Sequence, residues 1–121
     1  MTVAGLAACL SRSQDDKIRW KLVWGFLEGD RWEQAGAQPA LLADEPPLTG
    51  DERWDALLGA LAEHLAAGHD LAPPAWTGFR VLRRPWFPAE LPALRAHALA
   101  HAPAAFRKHG VYLAAADLGT A

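Results

Sequence analysis

Residues Thr49–Asp70 read TGDERWDALLGALAEHLAAGHD, and the fold turns on this stretch. Thr49, with Glu52 three residues later, has the spacing of a capping box. Asp51 and Glu52 put negative charge in the first turn, where the helix dipole favours it. At about 100° per residue, Trp54, Leu57, Leu58, Leu61 and Leu65 fall on one face. Asp55, Gly59, Glu63 and Ala66 fall on the other, which is expected to meet water. Gly68 suits the position just past the helix end, and Pro73 and Pro74 forbid continuation. Burying each of those leucines is worth roughly 1.5–3 kcal/mol. An isolated helix of this length is marginal in water, so the striped face requires partners from the rest of the chain.

Those partners must come from a short chain. At 121 residues there is room for one domain with a real core. Half of the residues are apolar (51%) and 21% are charged, a globular rather than disordered balance. The formal net charge of −2 argues against bulk attraction to nucleic acid or an anionic membrane. A single cysteine, Cys9, excludes an internal disulfide and any multi-cysteine zinc site, and fits a reducing, cytoplasmic setting. No run approaches the roughly 18 apolar residues of a spanning helix.

Upstream, residues 2–10 read as a short helix, followed by a second over 15–28, DDKIRWKLVWGFLE. Ile18, Leu22 and Phe26 share one face of this second helix, while Trp20, Val23, Trp24 and Leu27 occupy much of the rest. A helix apolar nearly all round is either central to the core or covered from outside the domain. Gly29–Asp30 is expected to end or kink it, with Trp32 in a loop. Pro39 opens a short helix through Leu41, Leu42 and Ala43, which Pro46–Pro47 terminates. Downstream, prolines and Gly78 break residues 71–88 into an irregular segment, with Phe79–Val81 as a brief strand or 3₁₀ turn. Residues 89–101 resume helical character, with Leu91, Leu94, Ala98 and His101 as candidates for the inward face. PAAFRKH then makes a short helix closed by Gly110. The expectation is a mainly α, single-domain bundle of four to six helices spanning 1–121, with a Pro-rich irregular segment at about 71–88.

Chemistry-bearing patterns are sparse. His97 and His101 are four apart and share a helix face, the spacing of a metal pair. The adjacent glutamate of HExxH is absent, and ordinary helix-face histidines are the plainer reading. Glu63, His64, His69 and Asp70 offer further nitrogen and oxygen ligands. No serine sits in a GxSxG-like turn and no glycine-rich phosphate loop exists, so no residue is assigned to catalysis and no cofactor is implied. The run Trp76, Phe79, Arg80, Arg83, Arg84, Trp86 and Phe87 interleaves arginines with aromatics. Such a run anchors a loop, forms a protein-interaction hot spot, or stacks on single-stranded bases.

TGDERWDALLGALAEHLA, PAW at 74–76, WFP at 86–88 and LPALRAHALAHAPAAFRKHGVYL together resemble a domain common in actinobacteria. In such proteins it usually follows an XRE-type helix-turn-helix, in regulators or antitoxins often encoded beside a nucleotidyltransferase-like partner. The resemblance runs from about Asp15 onward, and no helix-turn-helix precedes Asp15 in this sequence. It therefore implies the partner-binding half of such a protein, and no catalytic or ligand residues carry over. The expected function is a small cytosolic interaction module, antitoxin-like or regulatory, binding a protein partner or a second copy. Its expected surface comprises Trp20, Trp24, Leu27 and Trp32 on one side and Arg83, Arg84 and Trp86 on the other. The alternatives are a metal-dependent protein or enzyme using His97 and His101 with His64 or His69, and nucleic-acid binding through Arg80, Arg83 and Arg84.

Overall fold

A computed structural model describes residues 1–31, 38–89 and 91–118. The elements are α1 (Val3–Ser11), α2 (Asp16–Arg31), α3 (Gln38–Ala43), α4 (Glu52–Gly68), a 3₁₀ helix at Ala75–Phe79, α5 (Pro92–His101), α6 (Ala104–Lys108) and a final 3₁₀ turn at Ala115–Leu118. The fold is mainly α, and the described residues contain no strand. The expected loop around Trp32 lies outside them.

Helix α4 is the axis of the molecule, with α1, α3, α6 and the 3₁₀ helix at Ala75–Phe79 packed about it. Its burial is wider than the leucine stripe predicts. Besides Trp54 and the leucines, Ala56, Gly59, Ala60, Ala62, Glu63 and Ala66 are buried, so the face expected to meet water is covered. The reason is size. Small side chains on that face let neighbouring backbones approach closely, and at Gly59 even a Cβ would lie 2.9 Å from Arg80 Cβ and 3.1 Å from His109 Cε1.

The start of α4 also differs from the capping box. Asp51 is the N-cap and accepts from the Arg53 amide at 3.0 Å. Thr49 instead directs its amide and its hydroxyl at Asp55 Oδ1, each at 2.8 Å. A carboxylate already at the N-cap outcompetes the more distant hydroxyl for the orphan amides of the first turn.

At the other end Gly68 remains helical and the left-handed residue is Asp70, with φ 56°. Leu71 N–H donates to Ala66 O at 2.8 Å and Asp70 N–H to Ala67 O at 3.3 Å, which is a Schellman closure. Because glycine adopts that conformation without a Cβ penalty, Asp70→Gly is expected to stabilise the protein by about 0.5–1 kcal/mol. A urea melt followed by circular dichroism checks it, and a lower midpoint would contradict the closure.

Helix α2 is one-sided where its composition suggested a helix greasy all round. Arg19, Val23, Phe26, Leu27 and Asp30 form the buried stripe, while Ile18 and Trp24 are each 47% exposed. It also runs through Gly29 to Arg31 rather than ending there. In α5 the expectation fails in the opposite sense. Ala98 is buried as predicted, but Leu91 and Leu94 point outward at 66% and 49% exposure, and His101 is exposed as well. That helix rests on the body through alanines, leaving its leucines uncovered.

The Pro-rich segment is pinned rather than loose. A single parallel β-bridge pairs Trp86 with Val111. Leu82 N–H donates to His109 O at 3.1 Å, Trp86 N–H to Gly110 O at 2.8 Å, and Tyr112 N–H to Trp86 O at 2.9 Å. Gly110 has φ +82°, and a Cβ there would lie 3.1 Å from Leu82 Cβ, so both turn and contact need glycine. Below this segment lies a buried polar knot centred on Glu63. Thr77 Oγ1 donates to Glu63 Oε1 at 2.9 Å and Lys108 Nζ donates at 3.1 Å. His109 Nε2 also lies 3.0 Å from that oxygen, though out of line for a good hydrogen bond. His109 Nδ1 pairs with Arg80 O, so the knot ties α4, α6 and the start of the pinned segment together.

Candidate docking cleft

Between the first turns of α4 and the pinned segment lies an open cleft of about 1080 Å³. Glu52, Arg53, Asp55 and Ala56 form one side, Phe79 to Phe87 the other, with Leu48 and Arg95 at the margins. Five arginines line it (Arg53, Arg80, Arg83, Arg84 and Arg95) against the two carboxylates Glu52 and Asp55. That local balance of +3, in a chain of net −2, leaves −5 for all other residues. Arginine is thus concentrated along this cleft in a chain whose total is acidic.

The arginines are not equivalent. Arg80 is buried: its Nη2 donates to the Pro46 carbonyl and its guanidinium lies 5.1 Å from the Trp76 ring centroid. It braces the wall. Arg53 is held by Asp51, with Nη2–Oδ2 at 3.0 Å, and lies over the Trp86 ring at 5.2 Å. The hydrogen bond from Arg53 holds the Asp51 carboxyl below its ordinary range, although partial burial pushes the other way. Arg95 reaches from α5 over Phe87 at 5.7 Å, and Phe87 stacks on Tyr112 at 5.1 Å. Arg83 and Arg84 are exposed and have no hydrogen-bond or ion-pair partner among the described residues. Phe79 projects beside them at 88% exposure, with Val81 at 51% and Leu48 at 71%.

Behind the cleft sits a cluster of four tryptophans. Trp54 is fully buried, with Trp20 at 5.0 Å and Trp86 at 5.4 Å between ring centroids. Trp20 also stacks on Trp86 at 6.2 Å and tilts against Trp24 at 6.2 Å. Arg19 caps the cluster from α2, 5.5 Å from the Trp54 ring, with its Nε donating to Ser13 O at 2.8 Å. The cluster gives the cleft a stiff back wall, because Trp86 belongs to both.

The expected interaction residues separate accordingly. Arg83, Arg84 and Trp86 come together in the cleft. Trp20 is half-buried in the cluster, Trp24 sits at its exposed edge, and Trp32 falls outside the described residues. Leu27 is 3% exposed and belongs to the core, so its place in an interaction surface is withdrawn. The α2 stripe turns it inward beside Val23. Arg80 likewise drops out of any direct nucleic-acid contact, because its charge is spent inside. Arg53 and Arg95, distant in sequence, are delivered by topology, and no local pattern marks them.

The histidines scatter. His97 and His101 do share one face of α5, with ring centroids 4.4 Å apart. His64 packs edge-on against Phe106 at 5.5 Å, and its burial pushes the imidazole below its ordinary range. His69 Nε2 meets Asp30 at 3.2 Å, and His109 is sealed in the knot. Among the described residues no group of three or more metal-type side chains gathers. No helix there is long and apolar enough to cross a membrane. No protein-family model, curated protein or solved structure matches this chain.

Proposed function

We propose that this protein is a small interaction module whose arginine-lined cleft receives an acidic, apolar-bearing segment of a protein partner. The observation that carries the reading is that Arg83 and Arg84 both line the cleft, exposed and with no hydrogen-bond or ion-pair partner among the described residues, on a backbone pinned to the C-terminal segment. Two exposed guanidiniums on one wall, each able to take a carboxylate in a charge-assisted pair, favour an acidic ligand. Phe79, Val81 and the flank of Trp86 add the apolar contact that such interfaces place beside arginine. The resemblance noted in the sequence favours an antitoxin-like or regulatory setting, with a nucleotidyltransferase-like toxin as the kind of partner.

A labelled peptide alternating aspartate with leucine and phenylalanine, followed by fluorescence anisotropy, tests this. The wild-type chain is expected to bind it with affinity that falls as salt rises. Arg83→Glu/Arg84→Glu is expected to lose at least about tenfold, which is about 1.4 kcal/mol. The two positions are exposed, so unchanged circular dichroism identifies the loss as a surface effect. Equal binding by both proteins, or tighter binding of a single-stranded oligonucleotide than of the peptide, would overturn the assignment.

A further inference from the structure

Helix α5 carries a second feature, on the flank away from the cleft. At about 100° per residue, His97 and His101 sit nearly opposite Arg95 around its axis, and Leu94 shares their side. Both imidazoles are exposed, their ring centroids are 4.4 Å apart, and neither has a hydrogen-bond or ion-pair partner among the described residues. Histidines one helical turn apart present their ring nitrogens to one point in space, and imidazole is a ligand for zinc, copper and nickel. Zinc in a protein-only site takes four ligands, at about 2.0–2.1 Å for nitrogen. This chain brings two to α5, and no third metal-type side chain joins them among the described residues.

We infer that His97 and His101 form half of a divalent-metal site completed by the same pair from a second copy. A two-fold axis passing beside α5 supplies four nitrogens in one step, because each surface then meets its own image. Leu94 at 49% exposure, one turn before His97, is the apolar contact the two helices would bury beside the ion. The rings need no carboxylate neighbour for this, and Ala98, not either imidazole, is the residue by which α5 is buried against the body.

The test uses the full chain without a histidine tag, stripped with EDTA and then titrated with zinc chloride. Light scattering coupled to size exclusion is expected to show the mass doubling as zinc is added, with one zinc retained for every two chains. Chelation is expected to reverse it. His97→Ala/His101→Ala is expected to abolish both zinc retention and the doubling while leaving the helical spectrum unchanged. Leu94→Glu, which keeps both imidazoles, is expected to weaken the zinc-dependent dimer at least tenfold. A mass that does not respond to zinc, one zinc bound per chain without association, or a doubling that survives the double substitution would each overturn the inference.

Discussion

Trp54→Ala is expected to remove about 3–5 kcal/mol of stability. A chain of this size has about 5–15 kcal/mol in all, so the variant should lose a large share of its margin against unfolding. Trp54 is fully buried on α4 and its ring is met by Trp20, by Trp86 and by the Arg19 guanidinium. Truncation leaves a cavity that none of these can collapse into. Trp20 is fixed by α2 and Trp86 by its bridge to Val111. Urea denaturation read by far-ultraviolet circular dichroism gives the loss directly, without depending on tryptophan emission. A loss below about 1 kcal/mol would mean that the cluster relaxes freely, against close-packed behaviour.

Trp54→Phe separates packing from polarity. The indole Nε1 of Trp54 is buried and has no hydrogen-bond partner, which is itself a destabilising feature. Phenylalanine forfeits part of the ring contact but also removes that stranded N–H. The substitution should therefore cost less than half of what alanine costs. Both variants should weaken peptide capture as well, because Trp86 loses its backing and the cleft loses its wall.

The two tryptophan-bearing helices show how far composition reaches. The pattern at 49–70 located α4 to within a few residues, since capping acids, a leucine stripe and prolines all agree there. Which faces would be covered was not legible. Alanine and glycine read as neutral in a periodicity argument, yet Ala56, Gly59 and Ala62 are what let neighbours close on the far side. In α2 two readings were open. Its surplus of large apolar residues suits either a place in the core or cover from outside the domain, and the packing divides them: Ile18 and Trp24 remain outward while the polar Arg19 and Asp30 go inside. The identity of a side chain sets its preference, but the geometry of the neighbours decides which preferences are met.

The cleft divides along the same line. Arg83, Arg84 and Trp86 stand together in the sequence, and all three line the cleft. Arg53 and Arg95 come from different helices, and their convergence depends on the path of the Pro-rich segment. That path is fixed by long-range hydrogen bonds to His109, Gly110 and Tyr112, which no local reading of residues 71–88 contains.

Glu63 carries the second large effect, and it is one that pH reads out. Burial pushes the Glu63 carboxyl up, but the ring of His109, the Thr77 hydroxyl and the Lys108 ammonium together hold it below its ordinary range. A carboxyl more acidic in the folded than in the unfolded chain contributes stability that is complete above the unfolded value of about 4.3. That contribution disappears as pH falls through the lower, folded value. His64 adds an earlier step of the same sign. Burial favours its neutral form, so acidification below about 6.5 begins to favour the unfolded chain. Melting midpoints should thus fall gently from pH 7 to about 5 and steeply below about 4.3. Glu63→Gln, which keeps the shape and removes the titration, should make the steep arm shallower, leaving the part that Asp51 contributes, and should leave the gentle arm unchanged. Glu63→Leu should cost about 3 kcal/mol at neutral pH, because the buried Thr77 hydroxyl loses its acceptor and the fully buried His109 ring loses the carboxylate 3.0 Å from its Nε2, whereas the exposed Lys108 turns to water. An acid profile identical in wild type and Glu63→Gln would show that the knot is held by shape alone.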